Sequence, residues 1–269
     1  MRQIKSECLC KLCGDRIVGK QESHIIPKFF TKSIYFINGK NQKANTLKFE
    51  NKRMLKVDKW QQDALKEREL FCEECENYFE ILDTHFCNEI YHKLKSNKNS
   101  SFLFFQRNYK IASCEKVDRN VISLFVISLF LRCHISNLSF CKNFYFNDKE
   151  FLNLIKLFND NYSKSHVDLF ESVNAKSFSI LFSYLIITND INSRIDNNEN
   201  FVEANYRSNS GLYFMVINEY VFILDLQNCR TFFSECWNNK GESVKIAVLP
   251  DDQFNKVRTI NLSEHFNVK

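Results

Sequence analysis

The chain has 269 residues, enough for one large domain or two small ones, and 44% of them are hydrophobic, so a core can be buried. Residues 1–20 contain charges and cysteines but no apolar leader, and the most apolar run, residues 121–131, is about half the length of a membrane-spanning helix. These features predict a cytoplasmic protein that is not inserted in a membrane. Residues 1–60 hold 14 Lys and Arg against 5 Asp and Glu, a net of +9, and the rest of the chain has a net of −4. A basic N-terminal part indicates either contact with a polyanion or a solvated lysine-rich loop.

The first predicted unit, residues 1–95, contains two cysteine pairs with a basic stretch between them. Residues 25–60 lack a clear period, so strands and a long loop are expected there. From residue 73 onward the apolar side chains repeat on one face of a helix. They are Phe79, Leu82, Phe86 and Ile90. The polar residues 95–101 predict a linker, which separates this unit from a second one, residues 100–269.

The second unit is predicted to contain helices followed by an antiparallel sheet. Apolar periodicity indicates helices at residues 118–136 and 148–162, the second capped by Asp148. Asn218-Glu219 is a plausible tight turn of a hairpin. Runs of β-branched and aromatic residues predict strands at 178–188, 212–217, 220–226 and 244–249. The predicted fold class is therefore α+β.

The cysteine spacing indicates a zinc site. Cys10 and Cys13 form one CxxC pair followed by a glycine, and Cys72 and Cys75 form a second pair. Two thiolates from each pair complete the tetrahedral set of soft ligands that Zn²⁺ prefers, with no open position for chemistry. We therefore predict a structural zinc module over roughly residues 8–80.

The remaining seven of the 11 cysteines show no paired spacing. Cys8 is either a substitute for Cys10 as a ligand or, as we expect, an exposed neighbour. The others are expected in the core as small apolar residues: Cys87, Cys114, Cys133, Cys141, Cys229 and Cys236.

Between the cysteine pairs, residues 23–29 read SHIIPKF, and His24 is expected to end a strand before a turn. Four further short motifs follow in the chain: Gln62-Asp63, Lys66-Glu67, Cys75-Glu76 and Phe79. The order CxxCG, SHIIP, a basic stretch and CxxC opening a helix resembles the HNH endonuclease superfamily, in its zinc-stapled ββα-metal, treble-clef-like form. More narrowly, it is similar to bacterial HNH-like proteins that contain SHIIPKF. The resemblance covers roughly residues 8–90 and, less specifically, an apolar helix at 121–136.

The resemblance implies a metal-dependent endonuclease that hydrolyses phosphodiester bonds in DNA, in phage defence or in a mobile element. His24 matches the general base, and Mg²⁺ or Mn²⁺ would stabilise the charge on phosphate. Ser23 stands where the superfamily usually has Asp or His, and it is a poor ligand for a hard cation. Glu76 stands where Asn or His is common, and it is an acceptable ligand. The alternatives are a structural His24 and a Glu76 that only favours the first helical turn.

Other acidic residues are weaker candidates for the same ion. Seven helical residues rise about 10 Å, so Asp83 cannot share an ion with Glu76, and Glu80 is still about 6 Å along the axis. Asp63 and Glu22 remain open as ligands.

The basic insert is predicted to bind the phosphates of DNA, with RNA as an alternative, through Lys28, Lys32, Lys52 and Arg53. The sequence of the second unit does not distinguish between three roles: ligand sensing, homodimer formation and partner binding. For the whole chain, the alternatives to a nuclease are an inactive zinc-stapled nucleic-acid-binding protein and an interaction or regulatory protein.

Overall fold

The structure, a computed structural model, describes residues 8–19, 22–37, 40–41, 44–50, 53–61, 65–95, 103–106, 109–115, 117–142, 144–175, 182–190, 202–207, 211–227, 233–238 and 243–266. These residues form an α+β fold in which helices pack against a seven-stranded sheet. No helix among them has the length and apolar character needed to cross a membrane.

The N-terminal part contains three two-stranded sheets and the helix that follows the second cysteine pair. Its elements are β1 (Glu22–His24), α1 (Lys28–Tyr35), β2 (Phe36–Ile37), β3 (Lys40–Asn41), β4 (Ala44–Glu50), β5 (Arg53–Gln61), β6 (Lys66–Arg68), α2 (Glu73–Phe86) and α3 (His92–Lys95). β1 pairs antiparallel with β6, and the other two sheets are the local pairs β2–β3 and β4–β5. A π-helical turn at Cys87–Tyr91 joins α2 to α3.

Helix α1 corrects the prediction of only strands and a loop for residues 25–60. Its sequence is rich in aromatic and β-branched residues, which have low helix propensity. Tertiary packing overrides that preference, because Phe30 is buried with its ring 5.8 Å from that of Phe86 in α2. The hydroxyl of Thr31 also donates to the carbonyl of Lys28 at 3.2 Å, a side-chain contact within the first turn of the helix.

The rest of the chain builds the large sheet and the helices against it. Its elements are β7 (Leu103–Gln106), β8 (Tyr109–Cys114), α4 (Arg119–Ile135), α5 (Asp148–Asp160), α6 (His166–Ala175), β9 (Ser183–Asn189), β10 (Val202–Arg207), β11 (Leu212–Ile217), β12 (Tyr220–Asp225), β13 (Val244–Leu249) and α7 (Asp251–Phe266). The strand order is β10-β11-β12-β9-β13-β8-β7. The predicted hairpin is confirmed, with Asn218 in the left-handed region at φ 52°. The predicted antiparallel sheet is wrong at one pair, because β13 adds to the free edge of β9 in parallel.

The two predicted helices are confirmed, but one cap differs. Asp118 caps α4 by accepting from the backbone N–H of Asn120 at 2.8 Å. Every residue from 121 to 133 is buried, as expected for a helix that is apolar all round. The N-cap of α5 is Asn147 rather than Asp148, and Asn147 forms a reciprocal capping box with Glu150.

One hydrophobic core joins described residues from both sides of the predicted linker at 95–101. The ring of Phe86 in α2 stacks on Phe125 in α4 at 4.2 Å between centroids. Phe30 in α1 lies 5.7 Å from Phe222 in β12. The opposite face of the sheet has its own cluster, which includes Phe254 of α7. The cysteine-bearing part therefore packs directly on α4 and on one face of the sheet.

Candidate metal centre and histidine strand

The first cysteine pair lies in a tight turn closed by backbone hydrogen bonds. The N–H of Cys10 donates to the carbonyl of Arg16 at 2.7 Å, and the N–H of Gly14 donates to the carbonyl of Cys10 at 2.9 Å. Gly14 has φ +77°, a left-handed conformation that glycine adopts without steric cost. The glycine after the CxxC pair is thus required by the turn itself.

The second cysteine pair opens helix α2. Cys72 is the N-cap residue, and its carbonyl accepts from the N–H of Glu76 at 3.1 Å. Cys75 therefore lies in the first turn of the helix. The N–H of Lys11 donates to the carbonyl of Leu70 at 2.9 Å, which joins the turn of the first cysteine pair to the segment before α2.

The four sulfurs form a closed group. Sγ of Cys10 lies 3.8 Å from Sγ of Cys75, the Cys13 and Cys72 sulfurs are also 3.8 Å apart, and all four lie within 4.8 Å of one another. Four sulfurs at about 2.3 Å from a tetrahedral zinc ion lie about 3.8 Å apart. A disulfide would bring two of them to about 2.0 Å. The group can therefore hold a structural metal such as zinc, as the sequence predicts.

Proximity shifts the pKa values of these thiols in opposite directions. The hydrogen bond with Cys75 lowers the pKa of the Cys10 thiol to about 4, and the same hydrogen bond together with burial raises the pKa of Cys75. Burial raises the pKa of Cys13 to about 12. Binding of a divalent cation must release the protons that these thiols hold, so metal affinity should increase with pH.

The cysteines outside this group differ in how deeply they are buried. Cys8 is exposed, as expected for a neighbour of the site. Cys133, Cys141 and Cys236 are buried, which confirms the core prediction for these three. Cys87 and Cys114 are only partly buried, and Cys229 lies outside the described residues.

His24 is the last residue of β1, as the sequence predicts, and it is partly exposed. In the antiparallel pair with β6, Ser23 is opposite Glu67 and His24 is opposite Lys66. The N–H of Ile25 donates to the carbonyl of Leu65 at 3.0 Å, which extends the pairing one residue beyond the strand. The position of His24 is thus set by β6, the strand that precedes the second cysteine pair.

Glu76, the residue after Cys75, lies against β1. Burial raises the pKa of its carboxyl group, while a hydrogen bond with Ser23 and the positive charge of Arg132 act in the opposite direction. Oε1 of Glu76 is buried and has no hydrogen-bond partner within the described part of the chain. A carboxylate oxygen in this position can accept a hydrogen bond or bind a hard cation.

A buried arginine beside this strand was not found by sequence reasoning. Arg132 in α4 is 1% exposed and forms a two-point ion pair with Asp83 of α2, at 2.7 and 3.0 Å. Its Nη1 also donates to the backbone carbonyl of His24 at 3.3 Å. Asp83 therefore has a structural partner, which agrees with its exclusion as a ligand on helix rise. The single sequence signal was an arginine at the end of the apolar run.

A second link joins β6 to the C-terminal end of α4. The carboxylate of Glu67 accepts from Oγ of Ser136 at 2.7 Å and from the backbone N–H and the side-chain amide of Asn137 at 2.8 and 2.7 Å. Ser136 and Asn137 lie 69 and 70 residues after Glu67 in the chain, so no local sequence pattern predicts these hydrogen bonds.

The predicted nucleic-acid-binding residues belong to different elements. Lys28 is exposed and opens α1, and Lys32 lies further along the same helix. Arg53 is the first residue of β5, whereas Lys52 lies outside the described residues. Lys28 follows His24 by four residues in the chain, and the role of all four basic residues stays a prediction.

Within the described ranges, the four cysteines are the one group of three or more His, Cys, Asp and Glu side chains close enough to share an ion. Glu22 forms an ion pair with Arg68 at 2.9 Å, and Asp63 lies outside the described residues. Comparison with family models, curated proteins and solved structures gives no match. The function of the chain must therefore be argued from the site itself.

Proposed function

We propose that this chain is a metal-dependent HNH-type endonuclease that hydrolyses phosphodiester bonds in DNA, with His24 as the general base. The observation that supports it most is the contact between the histidine strand and the helix of the metal centre. Ser23, directly before His24, contacts Glu76, directly after Cys75. A strand-end histidine, a closed cysteine site and an acid in the first turn of the next helix follow the HNH-like motif order.

The proposed chemistry divides between His24 and a hard cation. The neutral imidazole of His24 accepts a proton from the water that attacks phosphorus. Mg²⁺ or Mn²⁺, when bound, would stabilise negative charge on the phosphate. Glu76 fits as a ligand because its Oε1 is buried without a hydrogen-bond partner in the described part of the chain. The four cysteines contribute no chemistry, since a Cys₄ zinc site has no open position.

The basic insert would hold the nucleic acid over this site. Lys28 is exposed and follows His24 by four residues in the chain, and Lys32, Lys52 and Arg53 belong to the same basic stretch. Phosphate contacts by such side chains are independent of base sequence and weaken as salt increases. DNA is the proposed substrate, and RNA is a separate arm of the test.

A second candidate is an inactive zinc-stapled nucleic-acid-binding protein. Ser23 favours it, because a buried hydroxyl stands where the superfamily usually has Asp or His. The described residues also assemble no group of three acidic or histidine side chains with His24. This function predicts salt-sensitive binding without cleavage, unchanged by His24→Ala. A chain that binds no nucleic acid at low salt would instead be an interaction or regulatory protein.

Cleavage assays with the zinc-loaded chain test the nuclease. Supercoiled plasmid, single-stranded DNA and RNA are each incubated with Mg²⁺ or Mn²⁺. His24→Ala is expected to reduce the rate by about 10²- to 10⁴-fold, the usual contribution of a general base. His92→Ala is the matched control, since His92 is an exposed histidine in α3. Wild-type protein that cleaves no substrate with either ion would refute the nuclease, and equal cleavage by His24→Ala would remove His24 from the reaction.

A further inference from the structure

We infer that Arg132 of α4 is a positioning residue that fixes the strand end bearing His24, an inference that rests on the nuclease function proposed above. Arg132 lies in the second predicted unit, whose role the sequence leaves open. Its guanidinium group contacts the backbone of His24, 108 residues earlier in the chain. The C-terminal end of α4 would then help to position His24 in the proposed active site.

The guanidinium group is itself held in one place. Arginine has five N–H donors, and each has an acceptor here. Nε donates to the carbonyl of Ser128 at 3.3 Å, and Nη2 donates to the Ser128 hydroxyl at 3.1 Å and to Asp83 at 2.7 Å. Nη1 donates to Asp83 at 3.0 Å and to the carbonyl of His24 at 3.3 Å. Because the side chain is buried, any rotation would leave several donors unsatisfied at once.

The peptide group between His24 and Ile25 is held at both ends. Its carbonyl oxygen accepts from Arg132, and its N–H donates to the carbonyl of Leu65 at 3.0 Å. Since a peptide group is planar, two fixed ends set the orientation of the plane and restrict ψ of His24. The direction in which the imidazole leaves the strand therefore depends on α4 as well as on β6.

The partner strand is anchored to the same end of α4. Glu67 in β6 accepts hydrogen bonds from Ser136 and Asn137, which follow Arg132 by one turn. β1 and β6 have three residues each, and a two-stranded pair this short has little stability alone. Both strands of the pair thus take their position from α4.

The competing explanation is an ion pair that only fastens α2 to α4. That role requires Asp83 and does not require the carbonyl of His24. Arg132→Lys separates the two roles, because an ammonium group can still pair with Asp83 but lacks the planar fork that serves both acceptors. Arg258→Lys is the matched control, since Arg258 is 2% exposed and lies in α7.

The first measurement is the carbonyl ¹³C resonance of His24 in full-length, zinc-loaded protein labelled at the histidine carbonyls. The six histidines give six signals, and His24→Ala identifies the one of interest. Arg132→Lys is expected to shift this signal and to leave those of His92, His166 and His265 in place, whereas Arg258→Lys leaves the His24 signal unchanged. An unshifted His24 signal in Arg132→Lys would overturn the inference whatever the activity.

The second measurement is turnover. Arg132→Lys is expected to lower kcat by roughly 10- to 100-fold, the effect of a small misplacement of a reacting group, with KM and zinc content unchanged. An equal loss in Arg258→Lys would mean general destabilisation and would overturn the inference. If Arg132→Lys does not fold, Asp83→Asn disturbs the same guanidinium group, and the same resonance decides. If the wild-type protein cleaves nothing, the proposed nuclease function is refuted, but the contact is still tested. The His24 resonance reports whether Arg132 holds His24 independently of activity.

Discussion

Cys10 and Cys75 of the candidate metal centre differ from Cys133 and Cys141 in geometry rather than in burial. Cys133 and Cys141 are as buried as Cys10 and Cys75. Cys10 and Cys75, however, belong to a group of four sulfurs whose spacing matches the edges of a tetrahedral zinc site. Removing one ligand should therefore have an effect that the loss of an ordinary buried thiol does not have.

We expect Cys72→Ser to lose bound zinc and to unfold at a lower temperature. Structural zinc contributes about 10–16 kcal/mol of apparent binding free energy in zinc-finger peptides, so weakening the site should cost several kcal/mol of stability. Cys8→Ser is the control, because Cys8 is exposed and outside the group. Elemental analysis should give one zinc per chain for wild type and Cys8→Ser, and stoichiometric zinc in Cys72→Ser would contradict the assignment.

His134 should make stability depend on pH. Its Nδ1 accepts from the N–H of Phe146 at 3.0 Å, and burial lowers its pKa below the ordinary value of 6.5, with Asp148 opposing weakly. Below about pH 6.5 the unfolded chain therefore binds more protons than the folded chain, and the free energy of unfolding decreases as pH falls. His134→Asn keeps an acceptor for Phe146 but does not titrate. Urea unfolding between pH 7 and pH 5 should show a smaller decrease for this variant, and an equal decrease would contradict the role of His134.

The cysteines and His24 could be found from sequence, whereas Arg132 and Glu67 could not. Each CxxC pair and the SHIIPKF segment are local patterns, so their spacing alone indicates ligand chemistry and a strand end. The contacts of Arg132 with Asp83 and His24, and of Glu67 with Ser136, join residues 49 to 108 positions apart in the chain. An arginine at the end of an apolar helix looks the same in the sequence whether it binds distant residues in the core or simply ends the apolar run.

Tertiary packing determines whether a segment is helix or strand in the place where prediction from sequence failed. The strands β11, β12 and β13 follow runs of β-branched and aromatic residues and were predicted with nearly correct ends. Helix α1 has a similar composition, but its burial against α2 makes it helical. Intrinsic preference thus sufficed inside the large sheet and failed for α1.

The start of α5 offers a direct test of the corrected cap. Oδ1 of Asn147 accepts from the N–H of Glu150 at 2.9 Å, and Glu150 accepts from the N–H of Asn147 at 3.1 Å. Asn147→Ala removes the first bond and should cost about 1 kcal/mol. Asp148→Ala should cost less, because Asp148 contributes charge interactions, with the helix dipole and with His134, and is not the capping residue. Chemical denaturation of both variants measures the difference, and a larger loss for Asp148→Ala would restore the cap predicted from sequence.

At the scale of the whole molecule, the cysteine-bearing part shares its core with the sheet. Phe30 and Phe86 pack against Phe125 and Phe222, and Lys95 forms an ion pair with Glu219 of the β11–β12 turn at 2.6 Å. The side-chain amide of Asn218 in the same turn donates to the carbonyl of Phe30. The predicted linker at 95–101 therefore lies between two parts that depend on each other for burial.

We accordingly expect a fragment of residues 1–95 to bind zinc without folding cooperatively. Its four cysteines remain, but Phe86 would be exposed to water and Asp83 would lose Arg132. Each aromatic ring that becomes exposed forfeits about 1.5–3 kcal/mol of burial, and the loss of Arg132 removes the ion pair that joins α2 to α4. Zinc titration with circular dichroism and amide hydrogen exchange tests this expectation, with the full chain as control. Slow exchange in α2 of the zinc-loaded fragment would show instead that residues 1–95 fold as an independent domain, and Arg132 would then stabilise a site that already exists without it.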